Sequence, residues 1–285
     1  MVVTGETALS PDGTPIAFTR MGKGPGLVLV HGGMEHAASH LQLAEALSGR
    51  FTVTLYDRRG RGTSGPYGGA YTMAKEVADL GALLAATETE QVFGVSSGAL
   101  IALEAALALP AVRRVVAYEP PLLVEEPFEP AYMDRYERLL AAGDLAGAMV
   151  TGMRGAEMGP PLLNRLPGWL LRPMVRLAIR QEDRRAGAYA FTMRQAAPTL
   201  ARDFQLVREV AGRVDRYGDV EADVLLLGGD RSPRYLKAAL DALEAVLPRV
   251  RRVVFPGLGH GGSGNTDRGG APRTVAATMT SFLHA

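Results

Sequence analysis

The sequence contains no cysteine among its 285 residues. Disulfide bonds, thiolate zinc sites and cysteine nucleophiles are therefore excluded. It also has no excess of charge of one sign, because 31 lysine and arginine residues face 30 aspartate and glutamate residues, which gives a net charge of +1. Such a balance gives no reason to expect a nucleic acid or an anionic membrane as a partner.

Long apolar runs are also missing. No apolar stretch approaches the roughly 20 residues that span a bilayer, and Met1–Asp12 lacks the basic-then-apolar order of a signal peptide. Apolar residues nevertheless make up 47% of the chain, which is enough for a large core. These features predict a soluble, cytoplasmic protein with one large α/β domain or two small ones.

Short apolar runs alternate with helical patterns along most of the chain. The predicted strands are Thr4–Leu9, Pro15–Thr19, Gly26–Val30, Phe51–Tyr56, Gln91–Val95, Val112–Tyr118, Asp223–Leu227 and Arg251–Phe255. The predicted helices are His36–Leu47, Met73–Ala86, Ala99–Leu109, Pro233–Leu247 and Thr274–Leu283. The turn signal Ser10–Gly13 (SPDG) predicts an opening β-hairpin. The alternation that follows indicates βαβ units and a mainly parallel sheet.

Between Pro120 and Tyr217 no strand pattern occurs, and the segment is instead rich in amphipathic helical patterns. We therefore predict an α/β core formed by residues 1–119 and 218–285, with a helical cap inserted at 120–217. The cap contains several methionines and one tryptophan, which either line an adaptable apolar pocket or pack the cap itself, and packing is favoured for most of them. These residues are Met149, Met153, Met158, Trp169, Met174 and Met193.

Residues Gly94–Gly98 (GVSSG) form a G-x-S-x-G pattern directly between a predicted strand and a strongly helical run. A turn of this kind packs the strand so tightly against the helix that the glycine positions tolerate little more than hydrogen. The central serine is forced into a strained backbone conformation that exposes its hydroxyl at the helix N-terminus. This context predicts Ser96 as a nucleophile and the backbone N–H of Ser97 as a donor to a developing oxyanion.

The motif His31-Gly32-Gly33 follows the first buried strand. A His-Gly pair at this point lets the loop pass close to Ser96, which would place the N–H of Gly33 as a second oxyanion donor. His31 itself precedes the donor, so we expect it to order the loop rather than to transfer protons.

His260 lies in Gly257–Gly261 (GLGHG), just after a predicted strand. It would therefore fall at the carboxyl edge of the sheet, where ligand-binding and catalytic groups gather in open α/β folds. A serine hydroxyl is a poor nucleophile until an imidazole takes its proton. We predict His260 as that base, because His284 is at the chain end and both His36 and His40 are on the first helix.

These features together resemble the α/β-hydrolase superfamily over essentially the whole chain. The resemblance is carried in order by His31-Gly32-Gly33, by Asp57–Ser64 (DRRGRGTS), by the GVSSG motif and by Gly259-His260. The segment Asp57–Ser64 is similar to the D-x-R-G-x-G-x-S turn of that family, which is structural, and we assign it no chemistry. The resemblance implies an α/β-hydrolase fold with an inserted helical cap and a Ser–His–acid triad.

The acid of the triad departs from the commonest pattern of the family, in which G-x-x-D follows the next-to-last strand. Here the chain reads Gly228–Pro233 (GGDRSP), so counting three residues from either glycine gives Arg231 or Ser232, and Asp230 comes too early. Some members, including certain haloalkane dehalogenases, place the acid at the end of the strand after the elbow helix. Glu119 occupies that position here. We favour Glu119 as the acid and keep Asp230 as the alternative.

Two further patterns suggest cofactors but lack the context for them. Gly259–Gly264 (GHGGSG) matches G-x-G-x-x-G, yet it lies too near the end of the sequence for a βαβ unit to follow. His36 and His40 have helical i, i+4 spacing but no obvious third ligand. We therefore expect neither a metal nor another cofactor.

These residues predict a serine hydrolase that acts on an ester, thioester, lactone or amide of a small apolar molecule through an acyl-enzyme on Ser96. A small-molecule substrate is the partner that we expect. Haloalkane dehalogenases and epoxide hydrolases are disfavoured, because those members need a carboxylate at the elbow. The irregular acid position keeps one alternative open, a hydrolase-fold protein without hydrolytic turnover. Such a protein would be a cofactor-free cyclase or lyase of secondary metabolism, or a ligand-binding receptor.

Overall fold

An eight-stranded sheet forms the centre of the protein, which the computed structural model describes at residues 5–125, 130–158, 166–185 and 191–284. The strands are β1 (Glu6–Leu9), β2 (Pro15–Gly22), β3 (Gly26–Val30), β4 (Thr52–Tyr56), β5 (Gln91–Val95), β6 (Arg114–Tyr118), β7 (Asp223–Gly229) and β8 (Val250–Phe255). Their order across the sheet is β1-β2-β4-β3-β5-β6-β7-β8. Strands β3 to β8 pair in parallel, while β2 pairs antiparallel with both of its neighbours. The prediction of a mainly parallel α/β sheet is confirmed.

The opening hairpin is also confirmed. The N–H of Gly13 donates to the carbonyl of Ser10 at 2.8 Å and closes the turn between β1 and β2. Strand β2 continues three residues beyond its predicted end at Thr19, because its far half pairs with β4 as far as Gly22 opposite Thr52. Thr4, the first residue of the predicted first strand, lies outside the described residues.

The helices are α1 (Leu41–Leu47), α2 (Met73–Thr87), α3 (Ser97–Ala108), α4 (Ala131–Ala141), α5 (Leu145–Gly155), α6 (Gly168–Arg185), α7 (Met193–Val210), α8 (Arg234–Val246) and α9 (Pro272–Leu283). Short 3₁₀ helices are at Ala37–His40, Val214–Asp219 and Thr266–Arg268. The single helix predicted over His36–Leu47 is therefore a 3₁₀ turn followed by α1. Helix α3 begins two residues before the predicted start at Ala99, because the turn at Ser96 leads directly into it.

Strands β3 to β7 are buried on both faces beyond their first residue, which explains why they are predominantly apolar. Alternate residues of a strand point to opposite faces, so Val92 packs with α2 and α3, while its neighbour Phe93 packs with α1 and α9. Two hydrophobic layers thus enclose the sheet.

Helix α3 is apolar on every side because it is buried on every side. Ten of its twelve residues are buried, and Leu100 and Leu103 are fully so. Truncation of either leucine to alanine would cost about 2–5 kcal/mol of stability, so this packing holds α3 firmly against the sheet. The N-terminus of α3 is consequently fixed at the carboxyl edge of β5.

Helices α4 to α7, here called the cap helices, lie between β6 and β7, and the described part of this segment contains no strand. Helix α7 contacts α3 and thereby joins the cap helices to the core. The division of the chain into a core and a cap domain at residues 120 and 217 stays a prediction. Within the described ranges, no helix is both long and apolar enough to cross a membrane.

Candidate active site

Ser96 is the single residue between the end of β5 and the start of α3. It has the strained backbone conformation that the motif predicts. Its φ is 55° and its ψ is −128°, a conformation that costs a non-glycine residue on the order of 1–3 kcal/mol. The surrounding structure holds it there. The N–H of Ser96 donates to the carbonyl of Tyr118 on β6 at 2.9 Å, and the carbonyl of Ser96 accepts the N–H of Ala99 at 2.8 Å.

The two glycines of the motif are required by close packing. A Cβ on Gly94 would lie 2.2 Å from the carbonyl oxygen of Gly98, and a Cβ on Gly98 would lie 2.3 Å from that of Val30. Neither distance is physically possible, because heavy atoms of this kind do not approach below about 3 Å. The strand, the turn and α3 therefore meet at a separation that only glycine allows, and Ser96 is lifted to the sheet edge.

The loop at His31-Gly32-Gly33 passes directly against the serine. A Cβ on Gly32 would lie 3.0 Å from Cβ of Ser96. The N–H of Gly32 donates to Oε2 of Glu35 at 2.8 Å, and the next residue, Gly33, lines the same cavity as Ser96 and Ser97. Ser97 is the first residue of α3, where N–H groups have no acceptor in a preceding turn.

His31 is buried and does not line that cavity. Its Nε2 accepts the backbone N–H of Arg58 at 3.2 Å, which ties the loop to the segment after β4. Burial, reinforced by the nearby Arg61 and Arg58 guanidiniums, lowers the pKa of His31 well below its ordinary value. A neutral, enclosed imidazole of this kind orders the loop.

His260 follows β8 and lines the same cavity as Ser96. Its Nδ1 lies 2.8 Å from Oε2 of Glu119, and the hydroxyl of Tyr118 donates to the neighbouring carbonyl of Gly259 at 2.8 Å. The His260 side chain is 19% exposed whereas that of Glu119 is 1% exposed. Nδ1 of a histidine that lines the cavity is thus paired with a buried carboxylate.

Glu119 comes directly after β6 and has a positive φ of 48°. It lies beside Ser96 at the sheet edge, because the preceding residues, Tyr118 and Val95, pair with each other. Its second oxygen, Oε1, accepts the N–H of Gly229 at 2.6 Å and the hydroxyl of Ser232 at 2.5 Å. Every hydrogen bond of the carboxylate therefore favours one fixed orientation toward His260. Ser232, which stands where the family pattern usually has the acid, here donates to an acid on the adjacent strand.

The other candidate acid, Asp230, is exposed and has a different partner. Its Oδ1 accepts the N–H of Gly257 at 2.7 Å, and its backbone carbonyl accepts from Nζ of Lys237 at 2.6 Å. The side chain thus closes the turn between β7 and the end of β8, and the structure gives it no hydrogen bond to His260.

The two patterns that suggested cofactors have structural explanations. His40 contacts Oε2 of Glu35 at 3.0 Å through Nε2 and the carbonyl of Ser263 at 3.2 Å through Nδ1. His36 contacts the hydroxyl of Ser39. Residues Gly259–Gly264 form successive turns that lead into a 3₁₀ helix. Among the described residues no cluster of three or more histidine, aspartate or glutamate side chains could hold a metal ion.

The cavity has a volume of about 480 Å³, and its wall is predominantly apolar. Four of the six cap residues singled out in the sequence line it, namely Met149, Met153, Met158 and Met193. Trp169 and Met174 are instead 72% and 53% exposed. Core packing was favoured for most of these residues, but four of the six line the cavity. The packed core of the cap helices is formed by other residues, such as Tyr136 and Phe204.

A buried ionic network lies beneath the Gly33 loop and includes a residue that sequence reasoning missed, Asp203 of α7. Arg58 pairs with both Glu76 and Asp203, and Arg61 pairs with Asp203. A signal for Asp203 was present: it interrupts the helical apolar spacing formed by Leu200, Phe204 and Val207, so a carboxylate occupies a core position. A carboxylate at such a position requires buried cations.

Comparisons of the sequence and of the structure with known proteins point to the same family. A sequence model of the alpha/beta hydrolase family matches residues 27–277. The crystal structure of an alpha/beta hydrolase from Sphaerobacter thermophilus DSM 20745 is 31% identical and superimposes with a TM-score of 0.77, covering 98% of this chain and 100% of that one.

Two curated proteins match shorter segments. The uncharacterized hydrolase YraK of Bacillus subtilis (strain 168) is 34% identical over 128 residues, which is 43% of this chain and 47% of that protein. The pimeloyl-[acyl-carrier protein] methyl ester esterase of Stenotrophomonas maltophilia (strain K279a) is 34% identical over 134 residues, which is 45% of this chain and 50% of that protein. The chain therefore spans about half the length of the curated relatives it matches.

Proposed function

Because this chain belongs to the alpha/beta hydrolase family, we propose that it is a serine hydrolase that cleaves an ester, thioester, lactone or amide of a small apolar molecule. The observation that carries the proposal is the 2.8 Å contact between Nδ1 of His260 and Oε2 of Glu119, in a cavity that Ser96 also lines. A strained serine, an imidazole and a buried carboxylate are the three groups that nucleophilic acyl transfer requires.

In the first half-reaction Oγ of Ser96 attacks the carbonyl carbon, and Nε2 of His260 takes the hydroxyl proton. The carbonyl oxygen becomes an oxyanion, which accepts hydrogen bonds from the N–H groups of Gly33 and Ser97. Collapse of the tetrahedral intermediate breaks the bond to the leaving group, which receives the proton from His260. An acyl group then remains on Ser96.

In the second half-reaction water attacks the acyl-enzyme. His260 takes one proton from the water and returns it to Oγ of Ser96 as the carboxylic acid leaves. Throughout both steps Glu119 holds the imidazole in the tautomer with the proton on Nδ1 and stabilises the imidazolium.

We propose Glu119 as the acid in preference to Asp230. The carboxylate of Glu119 is buried, receives three hydrogen bonds and reaches His260, whereas the carboxylate of Asp230 is exposed and accepts from Gly257. A buried carboxylate stabilises an adjacent imidazolium more strongly than an exposed one, because water screens the exposed charge.

The apolar wall of the cavity favours an uncharged substrate with an apolar acyl or alkyl part. A volume of about 480 Å³ is within the range of roughly 300–1,000 Å³ that is typical of small-molecule sites. Among the described lining residues there is no lysine or arginine to pair with a substrate carboxylate. The lining carboxylate, Asp203, is already paired with Arg58 and Arg61. One matching relative is named a methyl ester esterase, which favours a carboxylic ester among the four bond types.

The alternative of a non-hydrolytic cyclase, lyase or receptor depended on the irregular acid position. The Glu119 carboxylate at hydrogen-bond distance from His260 supports an acid at this irregular position, so we propose the hydrolase in preference to these alternatives.

The proposal is tested with a panel of p-nitrophenyl esters whose acyl chains range from acetate to octanoate. We expect hydrolysis by the wild type, a pre-steady-state burst of one nitrophenolate per protein, and loss of turnover in Ser96→Ala and His260→Ala. Ser281→Ala, which alters an exposed serine on α9, is the matched control and retains full activity. Turnover that persists in Ser96→Ala would refute the acyl-enzyme mechanism.

A further inference from the structure

Asp203 reaches from the cap helices into the core at the point where the oxyanion would form. It lies on α7, and its side chain is only 3% exposed. Oδ1 accepts the hydroxyl of Ser97 at 2.8 Å and Nη1 of Arg58 at 2.9 Å, while Oδ2 accepts Nη2 of Arg61 at 2.7 Å. The two oxygens of one carboxylate are thus engaged by different parts of the site.

The first oxygen controls the Ser97 half of the oxyanion hole. Ser97 supplies one of the two N–H groups through its backbone, and its side chain is held from both sides. Its hydroxyl donates to Asp203 and accepts from Nη1 of Arg58 at 3.1 Å. The first residue of α3 is therefore fixed to the cap helix as well as to its own strand.

The second oxygen, Oδ2, acts on the Gly33 N–H of the oxyanion hole through one intervening residue, Arg61. Nη1 of Arg61 donates to the carbonyl oxygen of Gly32 at 2.8 Å, while Nη2 of the same guanidinium is held by Asp203. The carbonyl of Gly32 and the N–H of Gly33 belong to one planar trans peptide unit, so they point in opposite directions. Fixing the carbonyl toward Arg61 therefore fixes the N–H on the opposite side.

We infer that Asp203 is a positioning residue that aligns both donors of the oxyanion hole from the cap. This inference rests on the proposed function, because it assigns a role to the same two N–H groups. It also means that the donors are fully aligned only while α7 is seated on the core. Space is limited at this contact, since a Cβ on Gly33 would lie 3.2 Å from Oδ2 of Asp203.

The charge balance fits this role. Burial alone would raise the pKa of Asp203, but the Arg61 and Arg58 guanidiniums and the Ser97 hydroxyl hold it below its ordinary value. The carboxylate is therefore ionised at neutral pH, and the two guanidiniums neutralise a negative charge that would otherwise oppose the oxyanion.

Replacement of Asp203 with asparagine breaks one of two contacts, either the one with Ser97 or the one with Arg61. An amide has one acceptor oxygen in place of two, so Asp203→Asn can accept from Ser97 or from Arg61 but not from both as the carboxylate does. Removal of one oxyanion donor costs about 10²–10³ in kcat in a known serine protease. We therefore expect Asp203→Asn to lower kcat about 10²-fold while KM changes less than about threefold, because the donors act on the transition state rather than on the bound substrate.

Asp79→Asn is the matched control, because it disrupts a similar buried pair elsewhere. Asp79 accepts Nε and Nη2 of Arg59, both at 2.6 Å, and does not line the cavity. It is expected to lower the midpoint of urea unfolding as much as Asp203→Asn does while kcat stays within about threefold of the wild type. Ser97→Ala is a smaller change that removes the contact between the Ser97 hydroxyl and Asp203 but not the one between Arg61 and Asp203, and we expect it to lower kcat about tenfold. It provides a second test if Asp203→Asn does not fold.

The experiment measures kcat and KM on a p-nitrophenyl ester, together with the rate of fluorophosphonate labelling, for all four proteins. A parallel loss of kcat and of labelling rate in Asp203→Asn and Ser97→Ala, without loss in Asp79→Asn, supports the inference. If the wild type is labelled and Asp203→Asn or Ser97→Ala reacts equally fast, or Asp79→Asn loses as much, the inference is refuted while the proposed function stands. If the folded wild type is neither labelled nor active, both are refuted.

Discussion

The substitution Glu119→Gln tests the proposed triad through one hydrogen bond. It preserves the size of the side chain and changes one oxygen to an NH₂ group. The orientation of the new amide is determined by its neighbours, because Oε1 accepts from both the N–H of Gly229 and the hydroxyl of Ser232. The amide oxygen must remain at that position, and the NH₂ group must therefore face His260.

An NH₂ group beside Nδ1 reverses the tautomer of His260. Nδ1, which lies 2.8 Å from Oε2 in the wild type, must then accept a hydrogen bond, so the ring proton moves to Nε2. An imidazole protonated at Nε2 cannot take the proton of Ser96. The corresponding change from acid to amide in a serine protease triad lowers kcat by about 10⁴, which corresponds to about 5.4 kcal/mol of transition-state stabilisation at 1.36 kcal/mol per factor of ten.

The assay is steady-state hydrolysis of p-nitrophenyl butyrate, with urea unfolding to show that the variant is folded. Asp230→Asn is the matched control, because its carboxylate accepts from Gly257 in the turn after β8, and we expect its kcat within about threefold of the wild type. A folded Glu119→Gln variant with more than a tenth of wild-type kcat would refute the assignment of the acid, and so would an equal loss in Asp230→Asn.

Three further predictions follow from the same contacts. Ser232→Ala removes one of the donors to Glu119 and should lower kcat about tenfold, because a hydrogen bond to a charged group is worth about 1.5–3 kcal/mol; wild-type kcat in this variant would show that Ser232 has no positioning role. The pKa of Asp203 is lower in the folded protein than its ordinary value, so its ionised form stabilises the fold above about pH 4 and this contribution is lost as the pH falls further. The difference in unfolding free energy between the wild type and Asp203→Asn should therefore shrink from pH 7 to pH 3, and an unchanged difference would contradict the ionised pair. An ester with a free carboxylate on its acyl chain should have a kcat/KM at least about tenfold below that of p-nitrophenyl butyrate, because an unpaired charge is costly to bury in the described apolar wall; equal values would exclude the proposed substrate class.

Features that depend on consecutive residues were predictable from the sequence. The turn at Ser96 is specified by five consecutive residues between a strand and a helix, and the glycine requirement follows from the distances at Gly94 and Gly98. Strand β3 was predictable because its wholly apolar run of five residues, Gly26–Val30, fits a sheet covered on both faces. The end of β2 was not, because it depends on pairing with β4, which comes about thirty residues later.

The acid and the ionic network depend on contacts between distant segments. Spacing placed both Glu119 and Asp230 at the carboxyl edge, but only the packing of β6 against β7 directs one of them toward His260 and the other toward Gly257. Asp203 is 145 residues from Arg58 in the sequence. Its role depends on how α7 lies on the core, which no local pattern specifies.

The most direct test of the central claim is covalent labelling of the folded protein with a fluorophosphonate, followed by peptide mass spectrometry. We predict one phosphonyl group per chain, located on Ser96, with labelling that is lost in Ser96→Ala and greatly slowed in His260→Ala. Absence of a label on the folded wild type, or a label on another residue that persists in Ser96→Ala, would contradict the assignment of Ser96 as an activated nucleophile.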